Sequence, residues 1–412
     1  MPVFFKICLF KSIKIFFQNL LLVFLSTSVV ALFFEGALRF YGFTYPAWEV
    51  RDREVGFIGL PNAKGWWTVE GHAYVEYNRH GFRDVERNLK KPEGTIRIAV
   101  LGDSYTQARE VPFETTFVNR AERQLALCNA SAGRPIEMLN FGVASFNTPA
   151  QIQLWRSRVR AFSPDLVIFA FFIGNDISKS HEKMDPYLNW PGLGLPVFKY
   201  VDNKFKIDFS FRDDPLFKKR VESRFHRFAL DLINRSVVLQ FLNYSRHNFH
   251  RWIAGEGEVK NKNLTKRRLK TEEGHRYWVG NVKIIDPPVD RIWREAWDLT
   301  ETGLKILNDE IIEDGARLAL VLLPHPAQID KFSGRYPQDR LIKWAAQHDI
   351  AILDLLPTFG QAYKKFGDHP YGFENMIIGD GHLNELGHHT GAEAIARWTC
   401  DSIIGNGIFQ LK

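Results

Sequence analysis

Five short apolar runs separated by helical stretches constrain the fold of this chain more than any other feature of its sequence. Each is rich in β-branched, aromatic and aliphatic residues and has the length of a buried strand. They lie at residues 96–101, 136–141, 166–173, 318–323 and 350–355. Between the first two, residues 114–128 carry apolar side chains at helical spacing, which makes a βαβ unit. The alternation predicts an α/β fold with a doubly wound, parallel five-stranded sheet and helices on both faces.

A long insertion is predicted between the third and fourth strands. The connection is far longer than a crossover needs, so we expect an inserted subdomain or lid at about residues 180–290. Its first half, residues 216–252, combines apolar helical faces with basic side chains, and residues 260–270 are polar and basic, as in a mobile loop. Such charge forms either a solvated face or a surface that attracts anionic lipid or acidic polysaccharide.

The N-terminus predicts a membrane anchor. Lys6, Lys11 and Lys14 precede an uncharged, apolar run at residues 15–34, whose twenty residues at 1.5 Å each span the roughly 30 Å hydrocarbon core. The positive-inside rule places the N-terminus in the cytoplasm and the rest outside, so we expect a single-pass inner-membrane protein with a periplasmic or extracytoplasmic domain. The alternative is a cleaved signal peptide, with a cleavage site at residues 29–31.

Composition excludes several classes of protein. Hydrophobic residues at 45% and charged residues at 25% are globular averages, which excludes wholesale disorder, a collagen repeat and a polytopic membrane protein. The net charge is +7, and no stretch of basic residues is dense enough to follow a nucleic-acid backbone. No GxxxxGK or GxGxxG stretch is present, so we predict no nucleotide cofactor, and indeed no cofactor at all.

The three cysteines exclude a disulfide-rich scaffold, and no CxxC pair indicates a zinc or redox site. Cys128 and Cys400 each fall near the end of a predicted helix. Outside the cytoplasm they are candidates for a disulfide, with two buried thiols as the alternative.

A β-rich lead-in is predicted between the anchor and the sheet. Residues 41–95 alternate short extended pieces with turns. The domains expected are therefore an anchor at 1–40, the lead-in at 41–95 and the sheet domain with its insertion at 96–412. Trp66 and Trp67 of the lead-in either stack on sugar rings or pack internally.

Residues able to carry chemistry follow four of the five strands. Ser104 leaves the first strand in a Gly-Asp-Ser turn, Gly142 ends the second, Asn175 follows the third, and Asp380 and His382 follow the fifth. Each alone also fits a helix cap or an ordinary turn. Because the carboxyl ends of parallel strands share one edge, we expect these residues to meet there. A carboxylate beside an imidazole can hold its Nδ1–H, leaving Nε2 to take a proton from a serine.

With these blocks in this order, the chain resembles the SGNH hydrolases, or GDSL-like lipases and esterases, over roughly residues 96–404. The four letters correspond to Ser104, Gly142, Asn175 and His382. Residues 35–39 and 78–84 are also similar to membrane-anchored bacterial members. The resemblance implies the flavodoxin-like fold of that family, with Ser104 as nucleophile, His382 as general base and Asp380 orienting it. It also implies an oxyanion hole made by the N–H groups of Ser104 and Gly142 and the side chain of Asn175.

Two positions depart from the pattern of that family. The family usually places its Asp three residues before the His, whereas position 379 is Gly and Asp380 lies two before His382. The third block usually has Gly two residues before the Asn, whereas Ile173 stands there and Gly174 is adjacent. The first departure weakens the assignment of Asp380, and the second reduces the backbone freedom before Asn175.

The resemblance implies a serine esterase that acts on an acyl ester, of a glycan or a lipid, outside the membrane. One alternative is an O-acyltransferase that modifies an extracellular polysaccharide with the same site, working with a membrane partner protein. A second is a non-catalytic glycan-binding or assembly module.

Three further histidines are candidates for the site. His388 and His389 are adjacent on a predicted helix and point in different directions, so no metal site is expected with His382. His325 follows the fourth strand and either lines the substrate pocket or serves as a structural turn histidine.

Overall fold

The computed structural model describes residues 2–184, 194–253, 282–331 and 334–406. Its chain divides into two compact units, Met1–Ala47 with Phe228–Glu258, and Trp48–Arg227 with Val259–Lys412. The basic stretch predicted as a mobile loop at 260–270 lies outside the described residues. The predicted domain boundaries at 40 and 95 stay predictions.

The first unit is built on one long helix, α1 (Pro2–Phe40). Within it, the segment Ile15–Phe40 is long and apolar enough to cross a membrane. Its side chains from Ile15 to Phe34 are almost all exposed. A helix of soluble protein this apolar would bury a face in the core, so the exposed surface fits a segment whose solvent is lipid.

The lead-in folds as two antiparallel hairpins. They comprise β1 (Glu49–Asp52) with β2 (Gly56–Gly59), and β3 (Lys64–Trp67) with β4 (Ala73–Glu76). The turn that joins β3 to β4 contains Glu70, whose side chain is buried. A buried carboxylate needs hydrogen-bond partners, and those of Glu70 lie at the carboxyl-terminal edge of the main sheet.

All five predicted strands of the main sheet are confirmed, each within a residue or two of the expected bounds. They are β5 (Ile96–Gly102), β6 (Ile136–Gly142), β7 (Leu166–Phe172), β10 (Arg317–Leu323) and β11 (Ala351–Asp354). Every neighbouring pair is parallel, and the order across the sheet is β11, β10, β7, β5, β6. Between β7 and β10 the insertion begins with a hairpin, β8 (Val197–Val201) and β9 (Lys204–Asp208).

Helices cover both faces of this sheet, which explains why β5 and β7 are buried along their whole length. After α1, the helices of the described residues are α2 (Ser104–Gln107), α3 (Phe117–Leu125), α4 (Thr148–Ser157), α5 (Pro215–Glu222), α6 (Arg224–Arg235), α7 (Val237–Ile253), α8 (Arg291–Glu313), α9 (Pro326–Lys331), α10 (Tyr336–Gln347), α11 (Leu356–Phe366) and α12 (Glu385–Trp398). Of these, α7 and most of α6 belong to the first unit. Helices α3, α11 and α12 contribute Phe117, Phe359 and Ile395 to the core on one face. The predicted doubly wound α/β class is confirmed.

Helix α3 is shorter than the predicted span of 114–128. Its first turn begins at Phe117 because the Thr116 side chain accepts a hydrogen bond from the Asn119 N–H and caps it. It ends at Leu125, and Cys128 has an extended backbone. The apolar spacing alone did not predict the residues at which this helix begins and ends.

A disulfide joins Cys128 to Cys400, with the two Cα atoms 5.7 Å apart, so of the two alternatives left open by the sequence the structure has the disulfide. It ties the end of α3 to the π-helical turn Thr399–Ile404 that follows α12. These two elements flank the same face of the sheet, so the bond reinforces packing that the core already provides.

Candidate active site

Ser104 stands at the carboxyl end of β5, where the chain turns into the single-turn helix α2. The Asp103 side chain caps this turn by accepting the Tyr105 N–H at 3.0 Å. Gly102 is required before it, because a Cβ there would lie 2.0 Å from Oγ1 of Thr106. The tight turn leaves Ser104 half-buried at the edge of the sheet.

His382 reaches this serine from the loop before α12. Its Nε2 lies 2.8 Å from Oγ of Ser104. The neighbouring residues hold the two loops together, because the buried Tyr105 hydroxyl donates to the Gly381 carbonyl at 2.8 Å. Tyr105 also places its ring 4.9 Å from the imidazole of His382. The structure thus brings the predicted serine and histidine together.

The carboxylate on the other side of the imidazole is Glu70, from the turn between β3 and β4. Its Oε2 lies 2.5 Å from Nδ1 of His382, and its Oε1 accepts the His382 backbone N–H at 2.7 Å. Only 3% of this side chain is exposed. Gly381 permits the approach, since a Cβ there would lie 2.1 Å from Oε1 of Glu70. Both carboxylate oxygens of Glu70 are therefore engaged with one histidine.

Asp380 does not take the orienting position predicted for it. Nδ1 and Nε2 of His382 are engaged by Glu70 and Ser104, and the Asp380 carboxylate accepts the Gly381 backbone N–H at 2.8 Å. With Gly381 in a left-handed conformation (φ +87°) between them, the two-residue spacing directs this carboxylate to the backbone. The prediction is corrected, and Glu70 occupies the place assigned to Asp380.

A second buried carboxylate, Glu110, flanks the same ring nitrogen. Its Oε1 lies 3.5 Å from Nδ1 of His382, and its Oε2 has no hydrogen-bond partner among the described residues. The buried Arg83 fixes the segment that carries it, donating to the Val111 carbonyl at 2.6 Å. Arg83 belongs to the block at residues 78–84 noted in the sequence, so this block stabilises the segment that carries Glu110.

These acids control the charge on His382. Burial lowers the pKa of the imidazole, but the Glu110 and Glu70 carboxylates outweigh burial and raise the pKa to about 9. Burial raises the pKa of Glu110, an effect that Glu70 strengthens and His382 opposes. The cluster therefore favours an imidazolium ion held between two acids at neutral pH.

Gly142 does not present a free N–H to the site. Its N–H donates to Oδ1 of Asn140 at 2.8 Å, and a Cβ at this position would lie 2.3 Å from the Gln107 backbone nitrogen. The glycine is needed because α2 packs directly against it. The predicted oxyanion role of Gly142 is therefore corrected to a packing role.

Asn175 lies where the sequence predicted, beside the nucleophile turn. Its Nδ2 donates to Oδ2 of Asp103 at 2.9 Å, and the residue is 2% exposed. An amide nitrogen carries two N–H groups, and one of them is fixed on Asp103. Burial raises the pKa of Asp103, while the hydrogen bond from Asn175 opposes this shift.

The remaining histidines have structural surroundings. His325 is fully buried, with Nδ1 accepting the Ala327 N–H at 3.1 Å and its ring stacked on Phe172, as expected for a structural turn histidine. His388 is buried, accepts the Phe117 N–H at 3.1 Å, and has its pKa lowered to about 3 by burial and nearby arginines. His389 is half-buried, beside Glu393.

Within the part of the chain that the structure describes, one group of side chains is close enough to hold a metal ion. Potential ligand atoms of Glu70, Glu110 and His382 lie within 4.8 Å of one another. The same Nδ1 already forms the hydrogen bond to Glu70, so a metal there would compete with the orientation of the imidazole.

The tryptophans of the lead-in differ in their surroundings. Trp67 faces the Arg109 guanidinium at 5.1 Å and packs within a cluster of aromatic rings. Trp66 is 44% exposed, with its ring 4.8 Å from that of His72. Packing accounts for Trp67, and the sugar-stacking alternative is confined to Trp66.

Sequence reasoning missed Glu70, Glu110 and Tyr105. Neither glutamate lies in a motif, and nothing in the local pattern distinguishes them from other acids of the chain. Tyr105 was visible as the residue after Ser104, but its bond to Gly381 depends on the fold.

No protein-family model and no curated protein matches the sequence of the chain. Solved structures similar to it include the acetyl xylan esterase AlAXEase, at 11% identity and a TM-score of 0.36, covering 74% of this chain and 98% of that one. Another is a putative lipolytic protein of the G-D-S-L family from Desulfitobacterium hafniense, at 12% identity and a TM-score of 0.32, covering 73% and 98%. A third is an acetylxylan esterase from Geobacillus stearothermophilus, at 14% identity and a TM-score of 0.35, covering 73% and 93%. At these scores we base no assignment on them.

Proposed function

We propose that the chain is a serine esterase of the SGNH type that hydrolyses O-acyl or O-acetyl esters outside the cytoplasmic membrane. The observation that carries this proposal is the continuous hydrogen-bonded series from Ser104 through His382 to Glu70. Nucleophile, base and orienting carboxylate in this geometry are the parts that serine acyl transfer requires.

The proton positions follow from the acceptor character of the carboxylate. An ionised Glu70 can only accept, so Nδ1 of His382 carries the hydrogen, and in the neutral ring Nε2 is left to accept from the Ser104 hydroxyl. Ser104 then attacks the ester carbonyl as Nε2 takes its proton. The imidazolium returns this proton to the leaving alcohol, and a water molecule hydrolyses the acyl-serine by the same route.

Two donors are proposed for the oxyanion. The backbone N–H of Ser104 lies in the first turn of α2 and has no acceptor within that helix. The second N–H of Asn175 is the other donor, because the first is fixed on Asp103. That bond locks the amide in place, which is the preorganisation that stabilises charge developing in a transition state.

Location outside the cytoplasm is supported by two separate features. The apolar segment Ile15–Phe40 is suited to span a membrane, and the Cys128–Cys400 disulfide is of a kind that persists in oxidising compartments. We propose a single-pass anchor with the sheet domain on the periplasmic side.

Labelling by a fluorophosphonate probe tests this function. At a pH above the His382 pKa of about 9, the full chain in detergent should label, and Ser104→Ala and His382→Ala should not. A control at an exposed serine, Ser210→Ala, should label like wild type. A folded wild type that stays unlabelled would contradict the proposal and favour a non-catalytic glycan-binding module. If the wild type labels, a separate sample that has not met the probe is used for turnover: release of acetate from an acetylated oligosaccharide, measured with and without a glycan acceptor, separates hydrolysis from transfer.

A further inference from the structure

The hairpin whose turn carries Glu70 also presents two exposed aromatic rings. Trp66 of β3 stands directly opposite Tyr74 of β4 across the hairpin. Trp66 is 44% exposed and Tyr74 is 42% exposed. Single exposed apolar residues are ordinary on a protein surface, whereas neighbouring exposed aromatic rings are typical of a binding surface.

These two rings are held in position by the hairpin itself. The Trp66 ring meets the Tyr74 ring edge to face, with the centroids 5.4 Å apart, and lies 4.8 Å from the ring of His72. Successive side chains of a strand point to opposite faces, so Trp67 packs inward on Arg109 and Trp66 is turned outward. Rings that are already ordered lose little conformational entropy when a ligand binds.

The turn of the hairpin fixes the position of these rings relative to the active site. Glu70 engages His382 with both carboxylate oxygens. The next residue, Gly71, donates its N–H to Oδ1 of Asn375 at 2.9 Å and accepts a hydrogen bond from Nδ2 of the same side chain at 2.9 Å. Trp66 precedes Glu70 by four residues, so at 3.4 Å per residue the two backbones are within roughly 14 Å of each other. The rings therefore stay close to His382.

Polar side chains surround the two rings. Lys64 stands opposite Glu76 as the next outward-facing pair along the strands, and Thr68 and His72 lie towards the turn. All four residues are exposed. They surround a small apolar centre with hydrogen-bond donors and acceptors. The two charges have opposite signs, so this face has no excess of basic groups to attract anionic lipid headgroups.

The size and chemistry of this face fit a sugar chain. A sugar ring has a face of C–H groups and a rim of hydroxyls, so it can stack on an aromatic ring while its hydroxyls bond to polar neighbours. A protein partner typically covers about 800 Å². An aromatic side chain buries about 150–250 Å² when fully covered, and these two are less than half exposed, so the apolar centre is far too small for such a partner. A narrow ligand is therefore favoured.

We propose that Trp66, His72 and Tyr74 form a stacking platform for a glycan chain, and that the esters hydrolysed at Ser104 are O-acyl groups on that same chain. The inference rests on the proposed esterase function and narrows its substrate class from acyl esters in general to acylated polysaccharide. The platform binds sugar units remote from the ester, so it contributes to affinity for long substrates and not to bond cleavage.

Kinetics as a function of substrate length test the proposal on the full chain in detergent, at the pH used for labelling. The substrates are partially acetylated oligomers of xylose, glucose and N-acetylglucosamine, from one to six sugar units, with ethyl acetate as the ester that has no sugar. Trp66→Ala and Tyr74→Ala each remove a ring of the platform, and Trp66→Phe keeps one. Tyr200→Ala is the matched control, because Tyr200 is a 42% exposed ring on the separate hairpin of β8 and β9.

For at least one of the three sugars, we expect the wild-type KM to fall as the oligomer lengthens. Trp66→Ala should raise KM for the longest oligomer about 2- to 10-fold with little change in kcat, the size expected from one aromatic stacking contact. The loss should be least on ethyl acetate, Trp66→Phe should recover most of the affinity, and Tyr200→Ala should match wild type throughout. Equal KM values for wild type and Trp66→Ala on every oligomer would overturn the platform, while turnover of ethyl acetate would still uphold the esterase.

A purely structural role of Trp66 gives a different result. If the ring only supports the hairpin and thereby Glu70, then Trp66→Ala should lose kcat to the same extent on ethyl acetate as on the oligomers, and the platform is overturned. A loss confined to esters embedded in phosphatidylcholine vesicles would assign the rings to lipid and would also overturn it.

Binding without turnover separates the platform from the esterase. In isothermal titration calorimetry, Ser104→Ala should bind the longest oligomer of the preferred sugar, and the Ser104→Ala, Trp66→Ala double variant should bind it several-fold more weakly. If this difference is present while wild type hydrolyses no ester, the proposed function fails and only the glycan-binding part of the inference stands. Equal affinities would overturn that part as well.

Discussion

Glu70 and His382 are 312 positions apart in the chain, and their side chains meet with Oε2 and Nδ1 2.5 Å apart. The acid comes from a hairpin turn outside the main sheet, whereas the serine and histidine follow strands of the sheet. The site is therefore assembled from the lead-in and the sheet domain together. Variants in each part can separate what the two parts contribute to catalysis.

Removing the charge of Glu70 should impair the histidine without disturbing the serine. Glu70→Gln cannot hold Nδ1–H as a carboxylate does, and loss of the orienting acid costs about 10²- to 10⁴-fold in kcat in serine hydrolases. Asp380→Asn should cost much less, since its carboxylate is directed to the Gly381 N–H. Steady-state kinetics on an acetyl ester compares the two, and a larger loss in Asp380→Asn would return the orienting role to Asp380.

Glu110 should control the pH dependence of the reaction. His382 accepts a proton only when neutral, so activity should rise with pH as the imidazole loses its proton near its pKa of about 9. Glu110→Gln removes a carboxylate that raises this pKa, and the rising limb of kcat/KM should move to lower pH. An unmoved limb would mean that Glu110 carries its own proton in the wild type.

Gly381 should tolerate no side chain, for a reason specific to the site. In Gly381→Ala the new Cβ would lie 2.1 Å from Oε1 of Glu70, so the carboxylate must leave His382. Gly367→Ala is the matched control, because its φ of +75° carries similar backbone strain and nothing lies within 4 Å of the added Cβ. We expect a loss of about 10²-fold or more in kcat for Gly381→Ala, as for loss of the orienting acid. Gly367→Ala should keep wild-type activity, and equal activities of the two variants would refute the steric argument.

The disulfide should contribute to stability and not to chemistry. Cys128 and Cys400 close a loop of 272 residues, and removal of such a bond typically costs about 2–5 kcal/mol. A Cys128→Ala, Cys400→Ala double variant should unfold at lower temperature, measured by circular dichroism, while its folded fraction still labels at Ser104. Loss of labelling in folded protein would show that the bond also positions the site.

The parts of the fold that sequence could predict are those set by local pattern. The run at 96–101 is rich in apolar β-forming residues and ends before Gly102. Both the strand and the turn to Ser104 can therefore be predicted from neighbouring residues. The caps that shorten α3 are also local, but Thr116 is one of several residues able to cap, and only packing selects it.

The candidate site was predictable only where its residues follow strands. Ser104, Asn175 and His382 meet because a parallel sheet collects them at one edge. Glu70 reaches that edge by tertiary packing of a separate hairpin, and no spacing rule connects it to His382. Gly142 was assigned wrongly because the bond from its N–H to Asn140 depends on a side-chain conformation that sequence does not specify.

The position of Glu70 in the lead-in also sets the smallest piece of this chain that can work. A fragment beginning at β5 would retain all five strands of the sheet, its serine and its histidine, and would still lack the group that orients the imidazole. Domain boundaries drawn around the sheet alone would therefore yield a protein with the impaired histidine expected of Glu70→Gln, and a fully active truncation has to begin upstream of residue 70.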